Sequence, residues 1–262
     1  MGFEPTRAYS AQGVSNPPQW TVLCDSSRLL YYNIVSILDL LFPKYCVGCK
    51  KIGDYVCDAC FAKIALPASV PCLVCNRPSF SGITHPGCKS RYAINGVIPS
   101  VSYKGVVKKL IYAFKYKPYV SDLAVFIASL MHELLIQNPV WISTVRTKPT
   151  LVPIPLSSQR LRNRGYNQSE ILAKELGKLS RIDASSLLLR VKDTAFQSKL
   201  DRKERKKNVL GAFAMLDQDP IPKTVLLIDD ILTTGVTLFE ASSVCKKAGV
   251  QEVWAIPFAV EE

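Results

Sequence analysis

The stretch "VLLIDDILTTGVTL", residues 225–238, sets two adjacent carboxylates, Asp229 and Asp230, at the end of an apolar run and follows them with hydroxyls around a glycine. Four consecutive apolar residues, 225–228, fit a strand buried on both faces. The following "TTGVT" turns into the start of a helix, where unpaired backbone N–H groups and the hydroxyls of Thr233, Thr234 and Thr237 suit a phosphate. Gly235 lets the backbone approach closely. Carboxylates would repel a phosphate unless they hydrogen-bond a neutral part of the same ligand, such as ribose hydroxyls. The pattern therefore predicts a sugar-phosphate site at the carboxyl end of a strand. An Asp-capped helix following a strand is the plainer reading, and it leaves the clustering of acids, hydroxyls and glycine unexplained.

Outward from this stretch, residues beyond 90 alternate between strand-like and helix-like segments. Strands are predicted at 94–103, 150–156, 186–191, 224–229 and 252–259, and helices at 105–116, 122–136, 167–179 and 234–248. Such alternation argues for an α/β fold, a parallel sheet flanked by helices, in which ligands bind beyond the carboxyl ends of the strands. The segment "PIPLSSQRLRNRGYNQ" leaves one such strand and delivers Arg160, Arg162 and Arg164 towards that end, as a pyrophosphate would require. Tyr166, Asn167 and Gln168 follow; Tyr166 and Asn167 are candidates for stacking on and bonding a base, against the plainer reading of Asn167 as a helix cap.

Charge points the same way. The 262-residue chain carries a formal +12, and residues 158–210 hold fourteen Lys/Arg against six Asp/Glu, most of that excess. "RKERKK" (202–207), with Lys203, Arg205, Lys206 and Lys207, reads as a loop over the site that clamps pyrophosphate or tracks a nucleic-acid backbone. Lys108, Lys109, Lys115 and Lys117, interleaved with Tyr112, Phe114 and Tyr116, form a second basic–aromatic patch suited to stacking on bases, although part of its aromatic content belongs to a core. A solvated basic face is the bland alternative for both.

Seven of nine cysteines fall between 46 and 88: "CVGC" (Cys46, Cys49), "CDAC" (Cys57, Cys60), "CLVC" (Cys72, Cys75) and Cys88, preceded by His85 in "HPGC". Counting His85, eight ligands suffice for two tetrahedral zinc sites, and Cys-x-x-Cys turns place two thiolates on one side of a tight loop. Zinc is preferred over a disulfide or redox module, since no secretion signal is evident and a cytoplasmic compartment disfavours disulfides. Consecutive pairing keeps each site local; cross-bracing remains open. All ligand positions come from the protein, so the metals are structural.

Upstream, residues 1–26 are weakly patterned and predict a disordered extension or sequence ahead of the true start. Residues 27–92 comprise an amphipathic helix plus the double zinc ribbon; in "LLYYNIVSILDLLF" (29–42) Leu30, Ile34, Ile37, Leu38 and Leu41 recur at helical spacing. This run is too short for a membrane span.

The 225–238 stretch resembles the phosphoribosyl-pyrophosphate signature of type I phosphoribosyltransferases. That resemblance implies that Asp229 and Asp230, the residues carried over as catalytic, meet the ribose hydroxyls, that Thr233 to Thr237 surround the 5′-phosphate, and that residues 93–262 are a phosphoribosyltransferase-like domain. Together with "LLFPKYCVGC", "YKGVVKKLIYAFKY", "RGYNQ" and the run through Gln197, Leu200, Arg205 and Asn208, it is similar to the ComF family over roughly residues 38–260. Those competence-associated proteins join a double zinc ribbon to such a domain; His85 stands where a cysteine is usual. The resemblance implies Mg²⁺ bound with phosphoribosyl pyrophosphate, single-stranded DNA and DNA-uptake machinery such as a ComF-operon helicase as partners, and a cytoplasmic location or one peripheral to the inner face of the membrane. Two functions remain open: a protein handling single-stranded DNA in natural transformation, or an active transferase with an unread acceptor. A regulator that senses the same ligand ranks last, because nothing resembles a recognition helix.

Overall fold

The computed structural model describes residues 43–116, 120–192 and 209–262. The predicted extension (1–26), the predicted helix at 29–42, Lys117 and residues 193–208, which take in the predicted 202–207 loop with Lys203, Arg205, Lys206 and Lys207 as well as Gln197, Leu200 and Asn208, lie outside them. Tyr45–Glu262 form one compact unit.

In chain order the cysteine-rich segment holds a short helix α1 (Asp58–Phe61) and a hairpin of β1 (Val70–Pro71) and β2 (Pro78–Ser79). Then follow β3 (Gly96–Val97), β4 (Val101–Ser102), α2 (Gly105–Tyr116), α3 (Val120–Leu135), α4 (Pro139–Val145), β5 (Thr150–Pro153), α5 (Ser158–Arg164), α6 (Gln168–Ser180), β6 (Leu188–Arg190), β7 (Phe213–Met215), β8 (Thr224–Leu232), α7 (Val236–Lys247) and β9 (Glu252–Val260). The central sheet runs β3–β9–β8–β5, with β4 also on β9, and every pairing in it is parallel. The expected mixed α/β architecture with a parallel sheet is present.

Period-two burial explains why 225–228 reads as one apolar run. Leu226 and Ile228 face a core built with α2, α3 and α6, and Val225 and Leu227 face a second core built with α7 and the β6–β7 pair. Helical spacing does the same for α2, which buries Val106, Val107, Leu110, Ile111 and Phe114.

Local differences from the predicted elements have local causes. The single strand expected over 94–103 is two short pieces, because Pro99 has no N–H to give the ladder. The strand near 186–191 pairs antiparallel with β7 outside the main sheet. Helix α4 was not predicted, because "VWISTV" is rich in β-branched residues; its start is nevertheless signalled by Asn138, whose side chain caps Val140 N and Trp141 N, with Pro139 at the first position. Among the described residues no single helix is long and apolar enough to cross a membrane.

Candidate functional site

Strand β8 is the longer partner of β5. Their pairing ends at Pro153↔Ile228, whereas β8 stays paired with β9 out to Leu232. The two acids therefore lie within β8, just past the end of β5, where one edge of the strand is released into a cleft of about 1100 Å³. That volume is ample for a sugar carrying a phosphate and a pyrophosphate.

Most of the predicted residues converge there. Asp229, Asp230, Thr233, Thr234, Val236, Thr237, Arg160, Arg164 and Gln168 all line the cleft. Gly235 does not line it; it is the N-cap of α7 in the left-handed region, φ 72°, and has no side chain with which to cap the helix. The first-turn amides of α7 are thus left for an anion beside three threonine hydroxyls.

Arg160, Arg162 and Arg164 do not act as a block. They stand on a seven-residue helix, α5, begun by Ser157, whose hydroxyl accepts from Arg160 N at 3.4 Å, and ended by Gly165 at φ 82°. On a helix, positions 160 and 164 share a face and 162 does not. Arg160 and Arg164 reach the cleft, and Arg162 is exposed outside it. Burial, then the neighbouring Arg164 charge, hold the Arg160 guanidinium below its ordinary value, with Asp229 opposing. Two cations so placed are relieved by an anionic ligand.

The carboxylates are wired differently from each other. Asp230 Oδ2 pairs with Lys115 Nζ at 2.8 Å, both side chains being largely buried. Asp229 Oδ1 accepts from Ser169 Oγ at 3.1 Å and from the Asp230 amide at 2.9 Å. Burial, followed by the Asp230 charge, pushes the Asp229 carboxyl up to about 7, against the pull of those donors and of Lys115. Lys115 and Ser169 belong to the site although the sequence did not single them out for it. Lys115 looked like part of a surface patch, and Ser169 carries no signal before β8 and α6 are brought together.

Within the "RGYNQ" block the polar groups of Tyr166 and Asn167 are engaged inside the protein, whereas Gln168 lines the cleft and its Nε2 is buried without a partner. The Tyr166 hydroxyl donates to the Phe114 carbonyl, the Asn167 amide caps α6 and donates to Ile154 O at 3.1 Å, and buried Gln168 accepts from Arg164. Neither Tyr166 nor Asn167 lines the cleft.

Aromatic surface on the cleft comes from α2, part of the basic–aromatic patch read from the sequence. Tyr112 and Tyr116, 60% and 61% exposed, line the cleft with ring centroids 5.0 Å apart, and the Arg164 guanidinium stands 5.3 Å from the Tyr116 ring. The remaining patch divides: Phe114 is core, Lys109 donates to Gly48 O, and Lys108 covers Tyr103.

The eight predicted metal ligands gather as Cys46, Cys49, Cys57, Cys60 and as Cys72, Cys75, His85, Cys88, with the ligand atoms of each set within 4.8 Å of one another. This is the consecutive pairing. Bonds of about 2.3 Å in a tetrahedron put sulfurs about 3.8 Å apart, so both sets are compatible with zinc. Cys49 Sγ lies 3.5 Å from Cys57 Sγ, and Cys75 Sγ 3.2 Å from His85 Nδ1. His85 Nε2 is 3.0 Å from Pro78 O, an acceptor only, which places the ring proton on Nε2 and leaves Nδ1 bare to bind metal.

The chain is 37% identical over 111 residues to Competence protein F of Haemophilus influenzae (40% of this chain, 48% of that protein). It is 39% identical over 102 residues to Competence protein ComFC of Streptococcus pneumoniae (39% and 44%). The DNA utilization protein YhgH of Salmonella typhimurium matches at 28% over 207 residues, 77% of this chain and 83% of that protein. The chain is a homologue of ComF-family proteins. The matches to the two competence proteins span about half of each one's length, and no protein-family model matches the chain.

Proposed function

We propose that this chain is a ComF-type protein that binds phosphoribosyl pyrophosphate at the end of β8 and β5 and handles single-stranded DNA in the cytoplasm during DNA uptake. The observation that carries the ligand is the convergence on one cleft of two inequivalent carboxylates, an uncapped helix N-terminus and an arginine pair. Asp229 and Asp230 take the ribose hydroxyls, Thr233, Thr234, Thr237 and the α7 amides take the 5′-phosphate, and Arg160 with Arg164 takes the pyrophosphate. Mg²⁺ would come with that pyrophosphate and neutralise part of its charge. Catalysis in such a site is positioning and charge stabilisation as the leaving group departs, with no protein nucleophile required.

The names of the relatives, competence and DNA utilization, support the DNA role. Tyr112 and Tyr116 supply a stacking surface beside the cleft, and the basic 202–207 loop supplies backbone contacts. DNA-uptake machinery such as a ComF-operon helicase is the partner class this reading implies, with the protein free in the cytoplasm or resting against the inner face of the membrane. Residues 27–92 then serve as the zinc-bearing part and 93–262 as the ligand-binding part.

A second reading is an active phosphoribosyltransferase, and the placement of the Tyr112–Tyr116 surface on the same cleft as the acids favours it: a base stacked there would lie near the sugar. One experiment addresses both. Calorimetry with phosphoribosyl pyrophosphate and Mg²⁺ should show saturable binding; no binding would refute the site. Pyrophosphate release on adding single-stranded oligonucleotide or free bases favours the transferase, and binding without release favours the DNA-handling role.

A further inference from the structure

The second metal cluster and the phosphate turn share one apolar contact. The Cys72–Cys75 turn is closed by Asn76 N donating to Cys72 O at 2.7 Å and Cys72 N donating to Arg77 O at 2.9 Å. A turn of this shape sends its middle side chains opposite ways: Val74 is 38% exposed and Leu73 only 4%. Leu73 enters the buried cluster that also holds Val97, Leu232, Val236 and Leu238. A Cβ placed on Gly235 would lie 2.6 Å from Leu73 Cδ2 and 3.2 Å from Leu232 Cδ1. Leu73 therefore fills the space that any side chain at 235 would need, and backs the turn whose hydroxyls line the cleft.

The other half of the same cluster is tied to the sheet. Thr84, next to His85, donates its amide to Asn95 O at 2.9 Å and its hydroxyl to Ile94 O at 2.6 Å, and Asn95 N donates to Val253 O at 2.8 Å. The first cluster sits in the opposite core: Cys46 and Cys60 pack with residues of α2, and a Cβ at Gly48 would meet Cys60 Sγ at 2.6 Å and Val106 Cγ2 at 3.1 Å. Only the second cluster has its knuckle in the core beneath α7.

We infer that Leu73 is a positioning residue for the 5′-phosphate turn, and that metal held by Cys72, Cys75, His85 and Cys88 keeps it seated, so that ligand affinity depends on this cluster and not on Cys46–Cys60. The inference rests on the phosphoribosyl reading of the cleft. Its physical basis is that a knuckle of this size has few contacts besides its metal; once the metal is lost, Leu73 is released, and binding must then bear the cost of ordering the turn.

The test uses the full chain, zinc-loaded, with ribose 5-phosphate as a probe of the turn alone and phosphoribosyl pyrophosphate with Mg²⁺ as a probe of the whole cleft. Leu73→Ala should weaken ribose 5-phosphate about 10-fold with zinc content unchanged, Leu73→Met should recover most of that loss, and Val74→Ala should match the wild type. Cys88→Ser should lose one zinc and the same affinity, and Cys49→Ser should lose one zinc and keep it. Wild-type affinity in Leu73→Ala, or equal weakening in the two cysteine variants, overturns the inference. Amide hydrogen exchange at residues 239–242, the first hydrogen-bonded amides of α7, keeps the question open to refutation if a variant folds poorly: chelating zinc from the wild type should accelerate exchange there, and unchanged protection overturns it. If the wild type binds neither probe, the phosphoribosyl reading fails, and the exchange measurement still judges the link between cluster and turn.

Discussion

Asp229 and Asp230 are adjacent in sequence and unlike in chemistry. Asp230 is held by Lys115, whereas Asp229, half-buried, loses solvation beside a like charge, and its carboxyl is pushed up to about 7 from the ordinary 4. A carboxyl raised by folding stabilises the ligand-free protein fully below the unfolded value, about 4, and that contribution is lost as pH rises through about 7. Ligand binding runs the opposite way, because ribose hydroxyls donate to the ionised form. Phosphoribosyl-pyrophosphate affinity, followed by calorimetry, should therefore rise between about pH 5.5 and 8. Asp229→Asn should weaken binding roughly 10-fold or more and flatten that rise; an equally steep pH profile in the variant would remove Asp229 from the site. Substitution at 230 has a different cost. Relief of repulsion alone would make Asp230→Asn harmless to folding, but Lys115 is largely buried and would lose its partner. Thermal or urea unfolding should show a loss of about 1–3 kcal/mol for Asp230→Asn and much less for Asp229→Asn.

Helices sort residues that the sequence presents as blocks. Because α5 puts Arg160 and Arg164 on the cleft side, each should cost at least about 10-fold in phosphoribosyl-pyrophosphate affinity when changed to Ala, while Arg162→Ala should leave it within about twofold. Equal losses at all three positions would mean that α5 presents another face to the ligand. Helix α2 makes a similar division, burying Phe114 and exposing Tyr112 and Tyr116. Single-stranded oligonucleotide binding should fall by about 1–3 kcal/mol per stacked base in Tyr112→Ala and Tyr116→Ala with the salt slope unchanged. Replacing Lys203, Arg205, Lys206 and Lys207 with Ala should instead flatten that slope by about 0.7 for each phosphate no longer neutralised. Fluorescence titrations over a salt series separate the two effects, and an unaltered slope in the loop variant would take the loop out of the DNA path.

At the scale of the molecule, the two cysteine clusters attach to opposite faces of one sheet within a single compact unit. Elemental analysis of protein purified without chelator should find about two zinc ions per chain, and finding none would exclude both sites. Cys46 is completely buried in the core shared with α2, so its loss is not a local event. Cys46→Ser should release one zinc and lower the melting temperature of the described unit in one cooperative transition; a ribbon that melts separately, ahead of an unaffected α/β body, would contradict this.

What was legible in the sequence is what spacing and period determine: the parallel α/β alternation, the acid–hydroxyl–glycine run of 225–238, and eight metal ligands in pairs. Each is a statement about residues a few positions apart, where backbone geometry leaves little choice. Tertiary structure alone decided the rest. It set the Tyr112–Tyr116 patch on the same cleft as the acids and left Tyr166 off that lining, its hydroxyl held by the Phe114 carbonyl 52 residues away in sequence. It brought Lys115 to Asp230 and Ser169 to Asp229, and set Leu73 of one metal knuckle behind Gly235. Those partners lie 60 to more than 160 positions apart along the chain, and no local propensity encodes such pairs; they exist only once two apolar faces of β8 have drawn their separate covers onto the sheet.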